Sequence, residues 1–201
     1  MITFLLALST AFASVDPDCL TVADAGPPAD YSEETQNNYL LNFYSLATTF
    51  SPLHAPIPNE PGRGSLSIEL SGMPQLKCEQ RLVLSYTKTE DTNKTPVLPR
   101  PRGTFTFPAI ELKNGKSVVP YAGFGYVPPV PIKGTRNVMV SFETGVGFAD
   151  LEEGKMQYGL RYHATLMRTF GDIATPFVEG DPVYEDIYIG STFGLDAMVG
   201  Y

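Results

Sequence analysis

The chain has 201 residues, enough for one domain with a sizeable core, and its 14 basic and 22 acidic residues give a net charge of −8. The basic residues form no cluster, which excludes nucleic acid as a partner, because phosphate binding needs grouped Lys and Arg. Two cysteines without a CxxC pair or a His cluster make no metal site, and no metal or cofactor is expected.

Residues 1–13 are apolar and end in Ala11-Phe12-Ala13, an A-x-A cleavage pattern, although no Lys or Arg precedes them. They read as a secretory signal peptide, too short to span a membrane. No later run approaches 18 apolar residues, so no transmembrane helix is expected.

Residues 14–63 read as an N-terminal segment. Its first part, 14–30, is polar and acidic and is expected to be extended. A helix is expected over 31–47, with Asp30 as N-cap and Glu33 three residues on. A Pro-rich linker comes next over 51–63, with Pro52, Pro56, Pro58 and Pro61, and leaves His54 as a loop residue. In an exported, oxidising compartment Cys19 and Cys78 are expected to pair and tie this segment to the strand region.

Residues 64–201 alternate with a period of two, the mark of strands with one apolar face. Strands are expected at 65–71, 80–87, 104–109, 117–126, 138–148, 156–167 and 187–201. Loops are expected at 88–103, 128–134 and 171–186, and tight turns at 72–78, 112–116 (around Asn114-Gly115) and 150–155. In the last three strands the apolar set holds Val140, Phe142, Phe148, Tyr158, Leu160, Leu166, Ile189 and Phe193. The opposite set holds Ser141, Glu143, Gly145, Arg161, His163, Thr165 and Gly194. These strands run 11 to 15 residues, longer than the usual strand of a soluble sheet and long enough to cross a bilayer when tilted. A face of Gly, Ser, Thr, Glu, Arg and His makes a poor dry core and is expected to face water, with the apolar set outward.

On these features the chain resembles bacterial outer-membrane β-barrel proteins. The final positions Leu195, Ala197, Val199 and Tyr201 stand two apart and end on an aromatic residue. In that family such a terminal strand is read by the insertion machinery. The resemblance implies an all-β fold: an antiparallel up-and-down transmembrane β-barrel of about seven or eight strands, exported to the outer membrane of a Gram-negative cell, with membrane lipid as its partner. It leaves the oligomeric state open. Seven strands is odd, whereas single-chain bacterial barrels have even numbers. Either one strand is uncounted or the N-terminal segment threads the interior as a plug. A chain that stops straight after a strand-like run also fits a piece of a longer barrel.

The chemistry expected inside is structural. If Phe148 sits opposite Met156, Glu143 faces Arg161 and Ser141 faces His163, all inward. The Glu143–Arg161 pair then satisfies buried charge or filters solutes at a constriction, and Ser141, His163 and Thr165 line the same face. Phe148 and Tyr158 would belong to an aromatic girdle. A hydroxyl near His163 invites a comparison with outer-membrane lipid hydrolases, but no base–nucleophile motif surrounds it, and no enzyme is expected. The expected function is a structural or porin-like passive-channel barrel. The alternative is a secreted soluble barrel or sandwich that holds a small apolar ligand and turns its aliphatic set inward.

Overall fold

The computed structural model describes residues 17–47, 53–72, 76–83, 86–90, 97–113, 115–132, 135–149, 155–176 and 184–200. Residues 1–13, Asn114, most of the 150–155 turn and Tyr201 lie outside the described residues. The chain is mostly antiparallel sheet with few helices. These are α1 (Pro17–Asp24), α2 (Glu33–Ala47) and α3 (Cys78–Arg81). The long strands are β1 (Gly64–Gly72), β4 (Val97–Thr106), β6 (Ser117–Ile132), β7 (Thr135–Ala149), β8 (Gln157–Pro176) and β9 (Tyr184–Gly200). The short ones are β2 (Leu82–Val83), β3 (Lys88–Glu90) and β5 (Ile110–Glu111).

All belong to one sheet, in the order β1-β4-β6-β7-β8, with β9 along the far side of β8. The backbone of Ala174 pairs with both Tyr184 and Glu90. Strand β3 therefore takes the β7 side of β8, beyond the point where β7 stops at Thr135–Gly171. Among the described residues β1 and β9 are edges, and the sheet is not closed.

Six expected segments differ. The strand at 80–87 is replaced by the end of α3 and the two-residue β2, and the extended stretch at 14–30 contains α1. The expected loop at 88–103 begins with β3 and ends in strand β4, which carries Pro99 and Pro101. Backbone directions explain why proline fits there. Thr106 N–H bonds to the Arg63 carbonyl on the β1 side, and Phe107 N–H bonds to the Pro120 carbonyl on the β6 side. Odd-numbered β4 residues therefore point their nitrogens at β6, and pairing with β6 begins only at Arg102. Pro99 and Pro101 lack a donor where no ladder asks for one, and the β1 ladder past them stays intact. The expected loops at 128–134 and 171–186 shrink because β6 runs on to Ile132 and β8 to Pro176. Pro128 and Pro129 fall at the register shift between Val127 and Val130. Of the short strand at 104–109 only the end of β4, to Thr106, is strand; β5 follows at Ile110–Glu111 and pairs with β6 just before Gly115, a glycine at φ +78°.

The side chains alternate strictly. The outer face carries Phe124, Tyr126, Phe142, Phe148, Leu166, Ile189, Leu195 and Val199, all exposed. Val140, Leu160 and Phe193 are 38%, 58% and 79% exposed, so the aliphatic set does not form a shared centre. Phe148 and Tyr158 face each other across β7 and β8 on this outer face. The inner face buries Arg100, Arg102, Ser141, Glu143, Arg161, His163 and Thr165. It is not polar throughout: Leu98, Val127, Met139 and Met167 form a buried apolar layer toward the 176–184 end.

The helices gather at that same end. Gly72, the last residue of β1, pairs with Val97 there, so β1 ends at the helical end of the sheet, opposite the end at which Ala149 closes β7. Helix α2 packs against α3, β2 and β9, and Leu40 of α2, Leu82 and Val83 of β2 and Tyr86 are each buried. The cap of α2 is Ser32, not Asp30: Ser32 Oγ accepts from Thr35 N–H at 3.5 Å, and its carbonyl accepts from Gln36 N–H at 3.0 Å. Cys19 of α1 and Cys78 of α3 are joined by a disulfide, with Cα atoms 5.1 Å apart and the two residues separated by 59 positions in sequence. A loop of that length supports about 4 kcal/mol of stabilisation through the unfolded state. Cys78→Ser is therefore expected to loosen the helical end first, read as faster amide exchange in α1 and α2 while β6–β9 stay protected.

Candidate functional site

The inward residues of neighbouring strands fall in level rows, and the rows place the charges. One row runs Thr104, Gly123, Glu143, His163, Gly194 across β4, β6, β7, β8 and β9. The next runs Thr106, Tyr121, Gly145, Arg161, Asp196. Large polar side chains alternate with glycines that they lie across. A Cβ on Gly123 would stand 2.9 Å from Glu143 Cγ and 3.0 Å from Thr104 Cγ2, and one on Gly194 would stand 2.8 Å from His163 Cε1. The missing side chain on β6 lets β4 reach β7.

The outcome is a belt of paired charge. Glu143 binds Arg102 directly and lies 3.7 Å from Arg161 Nη1. Arg161 donates to Asp196 at 2.7 and 2.8 Å. His163 Nε2 lies 3.3 Å from Asp196 Oδ2. Glu69 of β1 accepts from Arg100 and, at 2.7 Å, from Arg102. Three guanidiniums thus meet three carboxylates from one edge strand to the other, a balance that buried charge requires. The space between Arg102, Ser141, Glu143, His163 and Thr165 is about 10 Å³, no more than one water needs. Gly123→Leu is expected to force Glu143 off Arg102 and to destabilise the sheet by about 1–3 kcal/mol, the range for overpacking. A urea-unfolding series on the detergent-solubilised chain reads that loss.

The register differs from the expected one by two residues. Phe148 faces Tyr158, not Met156, so Glu143 stands directly opposite His163, and Ser141 opposite Thr165. A shift of two preserves the face, and Glu143 and Arg161 still meet, diagonally. Ser141 Oγ accepts from Arg100 Nη1 at 3.2 Å and does not face His163. Leu195, Ala197 and Val199 stand two apart on the outer face of β9.

Four belt members carry signals of unequal strength in the sequence. Glu69 and Asp196 belong to the polar sets of alternating runs. Arg100 and Arg102 alternate too, but with the prolines that disguise β4 as a loop. His54 carries no signal at all. Rather than a free loop residue, it lies over the inner face, with Nε2 3.0 Å from Glu143 Oε2 and 3.3 Å from Arg161 Nη1. Its ring meets Tyr121 edge-on at 5.3 Å between centroids. The residues after it run down the same face. Pro56 is buried, its Cβ 3.0 Å from where a Cβ on Gly159 would be and its Cδ 2.7 Å from one on Gly200. Asn59 Nδ2 then donates to Thr104 Oγ1 at 3.0 Å.

Comparison with protein-family models, with curated proteins and with solved structures gives no match for this chain.

Proposed function

We propose that the chain is an integral outer-membrane β-barrel protein with a structural or passive-channel role. The observation that carries this reading is the inversion of the sheet. Exposed Phe, Leu, Ile, Val and Tyr cover the outer face of β6–β9, while Arg100, Arg102, Glu143, Arg161 and His163 are buried inside. Water-soluble monomers rarely expose so broad an apolar surface, and lipid is the solvent in which it is stable. Strands of 15 to 20 residues in β6–β9 exceed the roughly 9–11 residues that a tilted strand needs to span a bilayer. Six long strands in antiparallel sequence leave β1 and β9 running in opposite directions, so adding an even number of strands closes the meander without a parallel pair. The soluble ligand-binding alternative needs the aliphatic set inward, which is the reverse of the arrangement observed.

The test is export of the full chain in a Gram-negative host. The protein is expected in the carbonate-washed outer-membrane fraction, with a gel mobility that changes on boiling. A soluble product whose mobility is indifferent to heat overturns the proposal.

A further inference from the structure

Among the described residues, 53–59 pair with no strand, yet they are built into the interior at three points. His54 sits on Glu143 and Arg161 at the belt. Pro56 and Ile57 rest in a saddle of glycines from three adjacent strands, Gly147, Gly159 and Gly200. Asn59 is tied to Thr104. Gly147 and Gly159 are a direct cross-strand pair, so the sheet is bare of side chains where the segment crosses. On the other side of the belt the apolar layer of Leu98, Val127, Met139 and Met167 closes the inner face. The belt is therefore sealed between a rigid part, whose side chains belong to ladder strands, and a part held by a few side-chain contacts.

We propose that residues 53–59 are a detachable internal plug, latched by His54 on Glu143, which shuts the charged belt off from small charged solutes arriving from the 149–157 end. This rests on the membrane-barrel reading. When the plug leaves, Glu143 keeps Arg102 while Arg161 and Tyr121 are uncovered, which gives a site for a solute that presents a hydrogen-bond donor to Glu143 and an anionic oxygen to Arg161, the two groups that His54 touches. The opening breaks no ladder bond among the described residues, where the segment has none in the sheet.

The test uses the full chain inserted in outer membrane or in lipid vesicles, with Thr165→Cys as a reporter inside the belt. Thr165 is buried, faces inward opposite Ser141 and stands one inward row beyond the Glu143–His163 pair. The probe is a charged, membrane-impermeant methanethiosulfonate. Adding His54→Ala is expected to raise the rate of reporter modification by about tenfold, the scale set by losing one hydrogen bond to a charged group, and Asn59→Ala, which loses a bond to a neutral hydroxyl, by about fivefold. A Pro56→Cys/Gly159→Cys cross-link, formed by a small shift of the segment, is expected to hold the rate at or below that of the reporter alone, and reduction is expected to release it. Inserted, heat-modifiable variants that all react at one rate overturn the plug while leaving the barrel reading intact. Failure of the parent chain to insert defeats the barrel reading itself.

Discussion

Arginine in place of Phe193 is expected to remove most of the chain from the membrane fraction. Phe193 stands on the outer face of β9 with 79% of its surface open and pairs across the ladder with Ala164. On a protein surrounded by water, such a substitution is worth no more than about 0.5 kcal/mol either way. On a lipid-facing strand near the bilayer midplane it costs about 2–4 kcal/mol. Leu195→Arg, two residues along the same face, is expected to behave alike. Quantifying the heat-modifiable species in washed outer membranes checks both. Unchanged yield and unchanged urea midpoint for both variants would mean that this face of β9 never meets lipid.

The second large effect is expected at Glu143. Leucine there leaves the Arg102 guanidinium without its inner partner and takes an anion away from both Arg161 and His54. Breaking a buried pair by removing one member costs about 3–5 kcal/mol, because the remaining charge stays buried and uncompensated. Arg102 retains Glu69 at 2.7 Å, which places the expected loss toward the lower end. Replacing Arg102 by Met in the Glu143→Leu background is expected to recover part of the stability, so the double variant loses less than the two single losses combined. Equilibrium urea unfolding of the three variants in one detergent measures it. A loss for Glu143→Leu below about 1 kcal/mol would place the belt at a hydrated surface, where exposed pairs are worth no more than that.

How far the sequence is legible depends on the range of each signal. Alternation is local, so β7, β8 and β9 can be read from their own residues, including which set points inward. Those ladders make the polar set of Glu143, Arg161, His163 and Thr165 visible without any knowledge of the partner strands. Strand β4 is hidden because its prolines look like loop punctuation. They are tolerated only because their nitrogens point away from the β1 ladder, a fact of pairing that residue types do not carry. Register is equally non-local. Taking the hairpin as closing at Phe148–Met156 puts every β7–β8 pair two positions off, and the true pairing depends on a turn whose residues give no sharp signal. His54 is the clearest omission. Its importance comes from landing on Glu143, 89 residues away, and nothing in Leu-His-Ala-Pro marks a latch. The glycines at 147, 159 and 194 are legible as small inward residues, but their role as seats for Pro56 and His163 needs the strands side by side.

Everything turns on which solvent the outer face meets. Nitroxide labels placed one at a time along β9, from position 187 to 199, in the lipid-reconstituted full chain test this directly. The readout is collision with oxygen, which concentrates in the hydrocarbon, and with a water-soluble nickel chelate. A lipid-facing β9 predicts a period of two, with oxygen collisions highest at 187, 189, 191, 193, 195, 197 and 199 and nickel collisions lowest at those same positions. Ready collision of the nickel chelate with the labels at 189, 193 and 195 would show an outer face in water and would contradict the membrane-barrel reading.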